Sequence, residues 1–159
     1  MQVMRIGGIL EACKSDSSKE ETVETTEKGV VRRYYDIIGS GRPENLDEVC
    51  SVDLRGHAGA GSDLQELKRE WASFMAAFPD LTPELRYLVQ EDDLVSVWLS
   101  YTGTHESDFA GVLASGRKVK FAEWDLLRVR DGKIVEVTQY CDLFMIMSQI
   151  GALPTAAPA

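Results

Sequence analysis

Apolar side chains recur along this chain with two periods. Val30, Tyr34, Ile37 and Ile38 fall at i, i+4, i+7 and i+8, one stripe of a helix over about 25–38. Gly39 and Gly41 stop it, and Pro43 suits the first turn of a short helix, "ENLDEVC". A strand is expected through "DLRGHAG". The clearest helical pattern is Leu64, Leu67, Trp71, Phe74, Met75 and Phe78, ended by Pro79-Asp80. Four strands follow, over about 82–90, 94–105, 117–130 and 133–141. They are separated by "EDD", by the looser "ESDFAGVLASG" and by "RDG", an Asp-Gly hairpin signal. The last strand runs into an apolar turn, "LFMIM", that ends at Gly151. Helices followed by an antiparallel meander make an α+β architecture. A strongly curved sheet wrapped around a long helix leaves an open mouth, lined by inward residues of the last strands.

Length and composition add bounds. The 159 residues suit one domain, expected over 25–153. Residues 14–28 are polar and nearly free of large apolar side chains, so 1–24 reads as a disordered arm and 154–159 as a flexible tail. A net charge of −9 argues against nucleic acid or an anionic membrane as partner. No apolar run approaches the roughly 20 residues of a membrane span. The apolar stretch near the N-terminus is broken by Gly7 and Gly8 and ends at Glu11, which is short for a signal core. Cys13, Cys50 and Cys141 are widely spaced, without a CxxC or a His at ligand spacing. They imply a reducing cytoplasm and no metal site. No cofactor fingerprint is present.

One stretch resists a plain reading. In the strand through "KFAEWDLL", Phe121, Glu123, Asp125 and Leu127 share one face, and Ala122, Trp124 and Leu126 share the other. Spacing alone leaves open which face turns inward.

Four strings narrow the fold. "FPDLTPEL" after a Trp-bearing helix, "YTGTHESDFAGVLASGRKVKF", "RVRDGKIVEV" and "QIGAL" together resemble the SnoaL-like polyketide cyclase family, within the nuclear transport factor 2-like superfamily. The likeness spans about residues 28–153. It implies a cone-shaped barrel and a homodimer formed through the outer face of the curved sheet. It also implies a cofactor-independent acid/base enzyme acting on a hydrophobic small molecule, a polyketide-type ketone, by cyclisation or isomerisation through an enolate. Matched on "DGKI", the family's pocket positions fall on Glu123, Asp125 and Gln139. Ring-closing aldol cyclases of this family carry an acid/base aspartate where Gln139 stands. An amide exchanges no proton near neutral pH, so the chain departs from that pattern. The Asp–Arg–Asp set of limonene-epoxide-hydrolase-like relatives is not kept either, since Leu99, Tyr101 and Gln139 occupy its positions. Ketosteroid isomerases pair a tyrosine with a protonated aspartate, a worked case of a carboxylic acid kept neutral. Their tyrosine falls at Tyr34 and their aspartate at or within one residue of Asp125. Their base falls near Ala58, next to His57.

On this resemblance, one of the two acids has a raised pKa, because two carboxylates inside an apolar cone cannot both ionise cheaply. Neutral Asp125, with Tyr34, stabilises a developing oxyanion, and Glu123 or His57 moves the proton. Tyr35 reads as peripheral. Gln139, Trp71, Phe74, Leu99, Tyr101 and Phe121 are expected to contact the substrate. His105 reads as a residue that fixes a loop, and Asp142 as the cap of the last helical turn. The amide at 139 also admits a hydroxylation or water-addition variant. A binding module that performs no chemistry is the third reading.

Overall fold

The computed structural model describes residues 26–152, so the expected arm and tail lie outside the described residues. The chain runs α1 (Glu27–Gly39), a 3-10 helix (Pro43–Glu48), β1 (Cys50–Ala58) and α2 (Leu64–Ala77). It continues with β2 (Thr82–Glu91), β3 (Leu94–Thr104), β4 (Lys118–Arg130), β5 (Lys133–Cys141) and α3 (Leu143–Ile150). Each α-helix start is capped by a nearby side chain. Thr26 accepts from the Gly29 N–H at 3.1 Å, Asp63 from Glu66 at 2.8 Å and Asp142 from Met145 at 2.9 Å. Glu66 reaches back to the Ser62 N–H at 2.8 Å, which completes a reciprocal cap on α2. The β4–β5 hairpin turns through Asp131 and Gly132, both at positive φ, as an Asp-Gly turn requires.

The five strands form one sheet in the order β1-β5-β4-β3-β2. The meander from β2 to β5 is antiparallel, but β1 pairs parallel with β5, so the sheet is mixed. Register shifts at Cys50/Arg55, Leu85/Tyr87 and Arg128/Val129 interrupt the ladders. Such shifts bend strands and increase their twist. The result is the expected α+β architecture of a curved sheet around helices.

The core fills the hollow of that sheet. Tyr34, Ile37 and Ile38 of α1 and Leu67 and Trp71 of α2 are buried with Val95, Val97 and Leu99 of β3. Along β4 burial alternates strictly from Val119 to Val129. Phe121, Glu123, Asp125 and Leu127 therefore face inward, and Trp124 faces out. The period that left the face open is resolved in favour of the acids.

Candidate active site

Glu123 and Asp125 are two residues apart on β4, and both are brought into the core with no more than 5% of their surface exposed. Ionised carboxylates in such a place cost several kcal/mol each unless paired or protonated. Three neighbours respond to that cost. Glu123 Oε1 accepts from the Tyr101 hydroxyl and from the Gln139 side-chain amide, each at 3.1 Å. Asp125 Oδ2 accepts a very short hydrogen bond from the Tyr35 hydroxyl. Asp125 Oδ1 has no donor near it, which suits the oxygen of a carboxyl group that itself carries the proton.

The direction of the pKa shifts agrees. Burial raises Glu123 to about 7, opposed by the hydrogen bonds from Gln139, Tyr101 and Asp125. Burial and then the Glu123 charge raise Asp125 well above the usual carboxylate range, and the Tyr35 bond only partly offsets them. A hydrogen bond between the two carboxyl groups lowers Glu123 and raises Asp125. Both directions favour the proton on Asp125 over Glu123. Burial raises Tyr34, Tyr35 and Tyr101 as well, so all three remain hydroxyl donors.

A cavity of about 100 Å³ opens above the pair. Trp71 and Phe74 of α2 face Phe121 of β4 across it, and Glu123 and Gln139 supply polar atoms. Gly59, Glu70 and Cys141 complete the wall. The ring of Tyr101 stacks on Phe121 at 5.2 Å, so the hydroxyl that holds Glu123 is itself held by an aromatic wall. Near the cavity the β1–α2 loop folds back on itself. The Gly59 N–H donates to the Gln139 carbonyl at 2.9 Å. A Cβ on Gly56 would sit 1.8 Å from the Gly61 carbonyl oxygen, so no other residue fits there.

The expected site residues divide into three groups. Glu123, Gln139, Trp71, Phe74 and Phe121 line the cavity. Asp125, Tyr34, Leu99 and Tyr101 are buried outside that lining. His57 is brought to neither place. It is exposed on β1 and does not line the cavity. The expected tyrosine is also corrected by one residue. Tyr34 accepts from the Trp71 indole N–H at 3.0 Å and so orients a cavity wall, whereas Tyr35, taken as peripheral, bonds Asp125. Val31 and Tyr35 lie four apart and are both buried, so the apolar stripe of α1 is wider than the periodicity of Tyr34 alone suggests. Glu70 and Cys141 were missed. Cys141 stands opposite Glu123 in the β4–β5 register, which becomes visible once the hairpin is aligned on Asp131-Gly132. His105 has its Nδ1 3.0 Å from Ser115 Oγ and accepts there from the Ser115 N–H at 3.3 Å, as a residue that fixes its loop would. Among the described residues, no three His, Cys, Asp or Glu side chains are grouped to hold a metal ion.

A family model described as SnoaL-like polyketide cyclase matches residues 28–150. Among solved structures, the chain is similar to wild-type IdmH of Streptomyces antibioticus, described as a candidate polyketide cyclase. Identity is 29% over 79% of this chain and 99% of that one, with a TM-score of 0.70. A protein from Bacillus cereus with the same description is 26% identical over 87% of each chain, with a TM-score of 0.70. AclR of Streptomyces galilaeus, at 23% identity over 80% of this chain and 97% of that one, shares the fold with a TM-score of 0.74. No curated protein matches the chain by sequence.

Proposed function

This chain belongs to the SnoaL-like polyketide cyclase family, and on that footing we propose that it is a cofactor-independent acid/base enzyme acting on a hydrophobic polyketide-type ketone. The reaction is a cyclisation or isomerisation through an enolate. The observation that supports this reading is that Glu123, its pKa raised by burial to about 7, lines an aromatic cavity with Asp125, also raised, buried beside it on β4. A base works best when its pKa lies near the working pH. Glu123 takes the proton from a carbon beside the substrate carbonyl. The C–H bond breaks, an O–H bond forms on Glu123, and the single negative charge passes to the carbonyl oxygen. The Gln139 amide, which also lines the cavity and is released from the neutralised Glu123, stabilises that oxygen. The proton then returns to another carbon, which is isomerisation, or the enolate carbon attacks a second carbonyl, closing a ring as that carbonyl's oxygen becomes an alkoxide and takes the proton from Glu123. Asp125 and Tyr35 act through Glu123 and are positioning residues.

Deuterium exchange from heavy water into a neutral cyclic diketone tests this directly. Exchange should depend on Glu123. Full exchange by Glu123→Gln would remove the proposal. The cavity-lining amide of Gln139 favours one other reading, addition of water. Label from ¹⁸O water in a product, without prior carbon exchange, would put that reading first.

The partner we propose is a second copy of the chain, docked on the outer face of the sheet. Tyr87, Trp98, Trp124 and Tyr140 are register partners across β2, β3, β4 and β5, and they form one unbroken aromatic row. Tyr87, Trp98 and Tyr140 are exposed, as are Val89 and Phe144. A continuous apolar patch of this kind marks an interaction surface. An isologous contact places the same row against itself. Ion pairs of Arg128 and Arg130 with Asp93, and of Arg128 with Glu136, bound one end of the sheet. No helix among the described residues is long and apolar enough to cross a membrane. The two described cysteines are unpaired, and a reducing cytoplasm is the compartment we propose.

A further inference from the structure

The wall of the cavity is one-sided in its charge. Trp71, Phe74 and Phe121 are aromatic, Glu70 and Glu123 are acids, and among the described residues no Lys, Arg or His lines it. Behind Glu123 stands Asp125, and the influences on the two carboxyl groups are burial, each other, Tyr35, Tyr101 and Gln139, with no cation among them. An anion brought to about 4 Å from a carboxylate is repelled by roughly 4 kcal/mol even at an effective dielectric of 20. A neutral hydroxyl meets no such barrier. Tyr101 and Gln139 both bind Glu123 Oε1, so Oε2 is left to accept from the Asp125 carboxyl or from a ligand.

Two other properties narrow the ligand. At about 100 Å³ the cavity is smaller than the roughly 150 Å³ space that accommodates benzene. A recess of this size takes the reacting end of a substrate and no more than a single ring, with the rest of the molecule outside. An ammonium ion would meet aromatic faces and acids, but would give up part of its hydration to enter a recess walled mostly by apolar atoms.

We propose that this site selects uncharged substrates whose reacting end is a single ring bearing a hydroxyl or enol, and that it excludes carboxylates and phosphates. What carries this is a wall of three aromatic rings and two acids without one cation. The proposal rests on the reading of Glu123 as the group that meets the substrate.

Calorimetric titration of the full chain at about pH 7.5 tests it with phenol, benzoate and benzylamine, which are neutral, anionic and cationic at that pH. Phenol should bind, and benzoate at least about tenfold more weakly, a gap of about 1.4 kcal/mol. Glu123→Gln, which keeps the shape and removes the charge, should narrow the gap by raising benzoate affinity, and Glu70→Gln should narrow it less. Benzoate binding as tightly as phenol overturns the proposal. So does a gap that neither substitution moves. Benzylamine binding more tightly than phenol overturns it in favour of an ammonium site, and failure of all three probes to bind removes the ring-sized end. Deuterium exchange separates this from the reaction itself. A protein that prefers phenol to benzoate but exchanges no carbon-bound hydrogen keeps the charge selection and loses the acid/base chemistry.

Discussion

Strand β4 carries Glu123 and Asp125 on its inner face and Trp124 on its outer one, and the usual distribution of polar and apolar groups is reversed on both. Inside, two acids are buried among Phe121, Leu127 and Tyr101. Outside, Trp124 lies in a row with exposed Tyr87, Trp98 and Tyr140, its indole N–H donating to Ser96 at 2.8 Å. Each reversal costs stability in the isolated chain. A buried acid loses hydration, and an exposed indole keeps apolar surface in water. Those costs mark where the molecule does something other than fold. The inner face is proposed as the site of chemistry, and the outer face as the contact with a second copy.

The largest effect that separates the two faces is catalytic. Glu123→Gln should reduce deuterium exchange by about 10²–10⁴-fold, the usual contribution of a positioned acid or base. Substitutions on the outer face should leave exchange per site nearly unchanged.

Next comes the dependence of stability on pH. Glu123 has an ordinary pKa of 4.5 and is held at about 7 in the fold. A raised folded value means that the native state keeps a proton the unfolded chain has released. The stabilisation is complete below about pH 4.5 and is lost as pH rises to about 7. The loss is on the order of 3 kcal/mol, and Asp125, raised further, extends the decline to higher pH. Thermal melts between about pH 4.5 and 8 should show this fall, and Glu123→Gln should flatten it. An unaltered slope in the variant would mean that the pair ionises freely.

A smaller effect belongs to the outer face. Trp98→Glu places a charge at the centre of the aromatic row and should weaken self-association by about 30-fold, some 2 kcal/mol. Sedimentation equilibrium measures it, with the melt of the monomer little changed. A chain that sediments as a monomer before substitution removes the proposed interface. The smallest effect tests neither face. Asp142→Ala removes the cap of α3 and should cost about 1 kcal/mol in the thermal melt, with exchange retained.

The contrast between the faces also explains what the sequence could show. The strands β2 to β5 were legible because alternation with period two and the Asp131-Gly132 turn set both their limits and their pairing. The parallel pairing of β1 was not. Its burial is irregular, with Val52 85% exposed, and a register shift separates Cys50 from Arg55. No local signal states which neighbour such a strand takes. In β4 each face holds an aromatic beside other apolar residues, so the period alone could not choose between Glu123 and Trp124. Only the helices packed inside the sheet decide it. Tyr34 and Tyr35 are adjacent on α1 and both buried, and which hydroxyl meets Asp125 depends on the rotation of α1 against β4. His57 was drawn in by its titration range, which says nothing about where β1 directs it.

The measurement that tests the central claim most directly is carboxyl ¹³C NMR of the full chain from about pH 4 to 9, assigned with Glu123→Gln and Asp125→Asn. The account predicts one carboxyl, absent in Asp125→Asn, that is still protonated at neutral pH, and a second, absent in Glu123→Gln, that titrates near 7. Two carboxylates both fully ionised by about pH 5.5 would contradict it.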